Sequence, residues 1–103
     1  MSEKLREKKA ENIVIMNIKK ITDIAYYFVV CTATSEVHAR ALTRELEEEF
    51  GRPWHTEGYS YAHWILLDYI DVVIHIFLEP TREYYGIERL FADVPMEKFN
   101  QCQ

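Results

Sequence analysis

The stretch AYYFVVCTATSEVHARALTRELEEEF, residues 25–50, decides the fold class of this chain. Residues 25–32 are apolar at odd and even positions alike, which predicts a strand that is buried on both faces and central in a sheet. Ser35 follows as a helix N-cap, and Gly51 supplies the end of that helix. Between them, a 3-4-4 spacing predicts one apolar helical stripe, formed by Ala39, Leu42, Leu46 and Phe50.

Further β-rich segments surround this strand–helix unit. Residues 12–18 (NIVIMNI) are rich in β-branched side chains and predict a preceding strand. Residues 63–68 and 72–78 (HWILLD and VVIHIFL) are separated by only a few residues, which predicts an antiparallel hairpin. Residues 81–91 predict one or two short helices. The order β-β-α-β-β-α predicts a single α/β or α+β domain over the whole chain, with helices covering a sheet.

The ends of the chain and one loop carry weaker patterns. Residues 1–11 predict a partial helix whose few apolar side chains are insufficient for packing against the domain. Residues 54–61 predict a loop or a short strand. In the last helical segment, Thr81 is the expected cap and Gly86 a break. We expect residues 96–103 to form a C-terminal tail.

The charge distribution disfavours a nucleic-acid-binding protein. The chain carries 12 basic and 17 acidic residues, for a net charge of −5. The first 20 residues hold six basic and three acidic side chains, so the remainder holds six basic and 14 acidic ones. A basic footprint is therefore absent from the body of the domain, which suits a basic partner better than DNA.

The chain also lacks the marks of a secreted or membrane protein. Its charged first 12 residues do not resemble a signal peptide, and its longest apolar runs are too short to span a bilayer. Two cysteines, Cys31 and Cys102, do not make a disulfide framework. We therefore expect reduced thiols and a cytoplasmic protein.

Residue types that perform catalysis are present, but their spacings do not suit it. Asp68 and Asp71 are three residues apart and so would not share one face of a strand. Ser35 lacks a nucleophile motif, and the three glycines are too dispersed for a phosphate loop. Metal-ligand spacing is missing among the histidines, which are His38, His55, His63 and His75. The sequence therefore predicts no enzymatic activity, metal or cofactor.

Aromatic residues cluster around the predicted hairpin and are the main candidates for a binding surface. They are Trp54, Tyr59, Tyr61, Trp64 and Tyr69. Strand alternation would place Trp64, Leu66 and Asp68 on one face. The opposite face would hold Ile65, Leu67 and Tyr69. If helices cover only one face, the other is an apolar patch with an acidic rim; the residues alone leave open whether it is exposed.

His75 is the histidine with the most distinctive position. It alternates with Val73 and Phe77 along an apolar strand. We interpret it as a core histidine that is hydrogen-bonded to a neighbour.

Four blocks of this sequence resemble the ribosomal silencing factor family, also called Iojap-related proteins. The most specific pattern is D-Y-x-D-V-V-x-H-x-F followed by R-x-x-Y-x-x-E-R-L, and the order and spacing match from about Asn12 to Asp93. The blocks are TDIAYYFVVCTATSEVHARAL, HTEGY, WILLDYIDVVIHIF and REYYGIERLFAD. The sequence departs from the usual family residues at five positions. Tyr26 stands in place of Asp, Ala33 and Ile70 in place of Gly, Gly86 in place of Asp, and Phe91 in place of Trp.

The resemblance implies a mixed sheet with flanking helices, similar in topology to nucleotidyltransferases but without their active site. It implies repression of translation through binding to the large ribosomal subunit, on universal large-subunit protein fourteen. A factor bound there would obstruct joining of the small subunit. The family often forms homodimers, and it usually begins with a longer amphipathic helix than residues 1–11 provide.

On this reading the hairpin and the following helix carry the partner-binding residues. Trp64 is the expected anchor, with Leu66 or Leu67 beside it, inside a polar rim. The remaining candidates are Asp68 and Tyr69 facing polar groups, His75 and Phe77 shaping the surface, and Tyr85 and Glu88 supporting it. The rival functions are a minimal nucleotidyltransferase-like enzyme and a generic interaction dimer that acts off the ribosome.

Overall fold

The computed structural model describes residues 2–19, 21 and 25–99, and all structural statements below refer to these residues. The first half of the chain contains α1 (Ser2–Glu7), β1 (Glu11–Asn17), β2 (Tyr27–Ala33) and α2 (Glu36–Phe50). The second half contains β3 (His55–Glu57), β4 (Trp64–Asp68), β5 (Val72–Leu78), α3 (Glu79–Tyr85), α4 (Ile87–Leu90) and β6 (Met96–Phe99).

The strands form one mixed sheet in the order β3-β4-β5-β2-β1-β6. The two central strands, β2 and β5, pair in parallel, from Tyr27 opposite Val72 to Ala33 opposite Leu78. The neighbours on either side pair antiparallel, including the predicted β4–β5 hairpin. The predicted single α+β domain with a mixed sheet is confirmed, and β2 is central because both of its faces are apolar.

Helix α2 covers one face of the sheet and begins and ends where the sequence predicts. The Ser35 Oγ accepts a hydrogen bond from the His38 N–H at 3.0 Å. At the other end, Gly51 has a φ of 83° and its N–H donates to the Glu47 carbonyl. Ala39, Leu42 and Leu46 are buried, whereas Phe50 at the end of the stripe is 39% exposed.

The prediction that the N-terminal segment does not pack is wrong. Leu5 of α1 is completely buried in the cluster beneath α2, because a helix of two turns needs only one inward residue to dock there. Two ion pairs join this segment to α2: Lys4 of α1 pairs with Glu49 at 2.9 Å, and Lys8, just after α1, pairs with Glu45 at 3.7 Å.

Helices α3 and α4 cover part of the opposite face. The expected cap at Thr81 is wrong, because α3 begins earlier, at Glu79, and Pro80 lies in its first turn where its missing N–H does no harm. The expected break at Gly86 is confirmed: this residue is left-handed, with φ 56° and ψ 45°. Ile87 is buried against the sheet beyond the break.

The prediction of a C-terminal tail over 96–103 is also wrong for its first part. Residues 96–99 form β6, which pairs with β1 so that Met96 lies opposite Met16. Residues 100–103, including Cys102, lie outside the described part of the chain. Cys31 is a buried free thiol, and burial raises its pKa to about 12, so it is protonated and unreactive at neutral pH.

The turn of the β4–β5 hairpin is a strained one. The Asp71 N–H donates to the Tyr69 carbonyl at 2.9 Å, which closes a γ-turn around Ile70. Ile70 has a φ of 75°, in the region that β-branched residues strongly disfavour. The Asp68 carboxylate supports the turn by accepting a hydrogen bond from the Ile70 N–H at 2.8 Å.

Ile70→Gly should therefore raise the free energy of unfolding. Left-handed backbone costs an L-residue about 1–2 kcal/mol, whereas glycine loses about 0.5–1 kcal/mol more conformational entropy on folding. Ile70 is 59% exposed, so little packing is lost. We expect a net gain of about 0.5–1 kcal/mol in denaturant unfolding, with Ile70→Ala between the two. A lower stability for Ile70→Gly than for Ile70→Ala would contradict the strain at this turn.

Candidate partner-binding surface

Strand β4 presents different residues to the two faces of the sheet, as its alternation predicts. Ile65 and Leu67 are completely buried beneath α2. Trp64, Leu66 and Asp68 point to the opposite face and are half-buried. Of the two predicted neighbours of Trp64, Leu66 therefore shares its face, whereas Leu67 is part of the core and does not reach a partner.

Trp64 is held by three neighbouring side chains. Its indole stacks on Phe77, its cross-strand partner, with ring centroids 4.8 Å apart and an interplanar angle of 29°. Tyr85 from α3 lies against it at 4.8 Å. The indole Nε1–H donates a hydrogen bond to the His75 Nδ1 at 3.1 Å. Trp64 is thus fixed in the sheet while part of its ring remains accessible.

His75 is the buried histidine that the sequence predicts, and its hydrogen-bonded neighbour is Trp64. It is 4% exposed, and the edge of the Phe28 ring lies 4.7 Å from it. Burial lowers the pKa of His75 to about 4, so the ring is neutral at pH 7. Because Nδ1 accepts, the proton resides on Nε2, and within the described residues this Nε2 has no hydrogen-bond partner.

The other members of the predicted set divide between surface and support. Phe77 is completely buried and shapes the surface only from beneath. Tyr69 faces α2, where its hydroxyl donates to the Gly51 carbonyl at 2.7 Å, away from Trp64. Tyr85 is 50% exposed and lies beside Trp64. Next to it, Tyr84 is 79% exposed and was not in the predicted set.

An arginine that the sequence analysis missed positions the helical side of this surface. Arg82 is buried; its Nη1 donates to the Thr32 Oγ1 on β2 and its Nε to the Glu88 Oε1 on α4, both at 2.8 Å. This bridge fixes α3 and α4 against the sheet and so sets the position of Tyr85. Glu88 contacts Arg82, and its part in binding a partner stays a prediction. The sequence signal for this contact was an arginine and a glutamate six residues apart, on either side of the helix-breaking Gly86.

Strand β3 adds a polar margin that the sequence analysis also missed. Glu57 lies opposite Leu66 and His55 opposite Asp68, so both occupy the face that carries Trp64. Their side chains interact at 2.6 Å and are largely exposed. Together with Asp68, they form a polar, mainly acidic rim beside the apolar residues. We use the name "hairpin face" for Trp64, Leu66, Asp68, Tyr84 and Tyr85 with this rim.

The hairpin face has the arrangement of a binding surface. A half-buried tryptophan lies beside the exposed Tyr85, whose ring contacts that of Tyr84, and near a charged rim, which is the composition of protein interfaces. The other histidines have local partners: His38 contacts Thr34, and His63 contacts Glu36. Across the described ranges, no group of three or more His, Cys, Asp or Glu side chains is arranged to hold a metal ion. No helix there is both long and apolar enough to cross a membrane.

The family model described as "Ribosomal silencing factor during starvation" matches residues 1–103. The chain is 40% identical over 93 residues to a ribosomal silencing factor RsfS from Halalkalibacterium halodurans, covering 86% of this chain and 80% of that one. It is 33% identical to the Bacillus subtilis protein of the same name, over 87% and 80% of the two chains. The chain therefore belongs to the ribosomal silencing factor family.

Solved structures show the same fold. A crystal structure of a protein from Chromobacterium violaceum superposes with a TM-score of 0.82 at 30% identity, covering 88% of this chain and 79% of that one. A Bacillus halodurans structure gives 0.78 at 34% identity, over 95% and 92%. The resemblance noted in the sequence is confirmed as membership of the family by the family model and the named relatives.

The buried His75 should make the stability of the protein depend on pH. Its pKa is about 4 in the folded chain and 6.5 ordinarily, so the unfolded state binds the extra proton between these values. The folded state is therefore not disfavoured by protonation above pH 6.5, and it loses stability relative to the unfolded state as pH falls from 6.5 through 4. The full loss is about 3 kcal/mol.

Denaturant unfolding of the wild type and of His75→Leu from pH 7 to pH 4 measures this effect. The stability difference between them should shift against the wild type as pH falls, because only the wild type carries this titrating ring. Parallel stability curves for the two proteins would show that His75 is not held neutral by burial.

Proposed function

We propose that this protein silences ribosomes by binding the large subunit through universal large-subunit protein fourteen and sterically blocking the small subunit. The observation that carries this proposal is Trp64 on the hairpin face: an aromatic anchor fixed by its neighbours and still accessible within a polar rim. The relatives support the ribosomal context. A mouse relative, 29% identical over 85% of this chain and 42% of its own, is named mitochondrial assembly of ribosomal large subunit protein 1.

The energetics of the hairpin face suit binding to a protein. Interfaces obtain most of their binding free energy from a few aromatic or arginine residues, surrounded by contacts that exclude water. Trp64 is held in place before binding by Phe77, Tyr85 and His75. Less side-chain entropy is therefore lost when a partner binds.

The charges of the chain suit a basic partner. Residues 21–103 hold 14 acidic against six basic side chains. Asp68 and Glu57 put part of this negative charge on the rim of the hairpin face. Opposite charges across an interface accelerate association and favour the correct partner. A basic ribosomal protein is the kind of surface that this rim would select.

In this proposal the protein acts in the cytoplasm by occupancy alone, without turnover. The exclusion of the small subunit requires only that the bound protein fill space on the intersubunit side. The two rival readings, an enzyme and a dimer acting off the ribosome, do not require the protein to bind purified large subunits through Trp64. Binding of variants to large subunits therefore separates the proposal from both rivals.

Trp64→Ala should weaken binding to purified large subunits by about 2–4 kcal/mol, some thirty-fold or more in affinity. Trp54→Ala is the matched control, because it is the same substitution at a tryptophan that is 75% exposed and whose ring borders the rim residue His55, and rim positions contribute little to binding. Sedimentation binding is measured at a temperature where unfolding curves show each variant to be folded.

Because Trp64 also stacks on Phe77, its truncation lowers stability as well as binding. Leu66→Lys provides a second variant, since Leu66 lies on the same face, is half-buried and lacks the ring stack, and a positive charge there would repel a basic partner. We expect it to weaken binding too. Wild-type affinity for both folded variants, or an equal loss for Trp54→Ala, would refute binding through the hairpin face.

A further inference from the structure

We propose that His75 is a positioning residue, whose neutral ring orients Trp64 for the partner by accepting its indole N–H. This inference rests on the proposed function, since it concerns the same surface. Trp64 lies opposite Phe77 and Leu66 opposite His75, so the tryptophan and the histidine are diagonal neighbours on one face of the hairpin. The 3.1 Å hydrogen bond joins the indole Nε1 directly to the His75 Nδ1.

Three contacts together determine how the indole lies. Stacking on Phe77 sets the plane of the ring, with an interplanar angle of 29°. Tyr85 limits its displacement from the side, at 4.8 Å. Stacking on a ring face does not by itself require a particular edge of the indole to face His75. The hydrogen bond does, since it is directional and requires the Nε1–H edge to face the histidine.

The identity of residue 75 is not explained by stability. The ring is 4% exposed and its Nε2–H has no acceptor among the described residues. A buried donor without an acceptor costs free energy that an aliphatic side chain would avoid. The rings in contact with His75 belong to Phe28, Trp64 and Phe77, and none of these is titratable. What histidine provides here is the Nδ1 acceptor for Trp64.

Two substitutions separate the acceptor from the packing. His75→Asn keeps an acceptor, because the asparagine Oδ1 takes approximately the place of the histidine Nδ1, but it leaves a cavity where the ring was. His75→Leu fills the space with an aliphatic side chain and removes the acceptor. A purely structural histidine predicts that binding follows stability. A positioning histidine predicts that the two properties rank in opposite orders.

Binding to purified large subunits and denaturant unfolding are measured on the same samples, under conditions where each protein is folded. We expect His75→Leu to be at least as stable as wild type at neutral pH, yet to bind about three- to ten-fold more weakly, which corresponds to about 0.7–1.4 kcal/mol. We expect His75→Asn to be the less stable variant and to bind within about two-fold of wild type. Wild-type binding by His75→Leu, or equal losses in both variants, would overturn the proposal.

The indole N–H signal of Trp64 provides a readout that does not depend on the ribosome. It is observed by NMR in a Trp54→Phe background, where Trp64 supplies the indole signal. Its hydrogen exchange should be slow in the wild type and in His75→Asn, and at least ten-fold faster in His75→Leu. Equal protection in all three would overturn positioning even if the protein binds large subunits. If this protection pattern appears but the wild type does not bind, the proposed function fails while the positioning of Trp64 stands.

Discussion

The parallel pairing of β2 with β5 is the constraint on which the rest of the structure depends. Two parallel neighbours cannot be joined by a tight turn, so the chain must leave the end of β2 and return to the start of β5. Helix α2 runs within this connection and buries Ala39, Leu42 and Leu46 against the sheet. The same connection also contains β4, which pairs antiparallel with β5 on the side away from β2. The placement of α2 thus decides which face of β4 becomes core.

The hairpin face is a consequence of covering the two sides of the sheet unequally. The α2 side buries Ile65 and Leu67 completely, whereas α3 and α4 leave Trp64 and Leu66 half-buried on the other side. The same aromatic residues therefore contribute to the core and to the surface. Arg82 and His75 are the buried polar residues that determine this boundary, one by positioning α3 and the other by contacting Trp64.

Much of the fold could be predicted from local patterns. The helix over 36–50 was predictable because a cap, a stripe and a terminal glycine agree, and the two faces of β4 because strand alternation is strict. The parallel partnership of β2 and β5 was not, since it depends on pairing between residues about 45 positions apart. Strand β6 was missed because four residues following a proline carry too short a pattern.

The candidate surface was less predictable than the fold. Leu67 was included among the predicted partner-binding residues because sequence cannot show which face of β4 meets α2. The packing of Leu5 against the domain was missed because one leucine makes no periodic pattern. Arg82 appeared as an ordinary helical arginine, and its importance arises only when Thr32 and Glu88 converge on it. The strained turn at Ile70 was hidden because isoleucine gives no signal of a positive φ.

The central claim is that the hairpin face is where this protein meets the large ribosomal subunit. Hydroxyl-radical footprinting, with and without purified large subunits, tests it with residues of the same types inside and outside that face. Trp64, Tyr84 and Tyr85 should lose reactivity in the complex. Tyr61, which is 70% exposed elsewhere on the chain, should stay as reactive as in the free protein, and Trp54, whose ring borders the rim residue His55, should change less than Trp64. Protection of Trp54 and Tyr61 with unchanged Trp64, Tyr84 and Tyr85 would contradict the account.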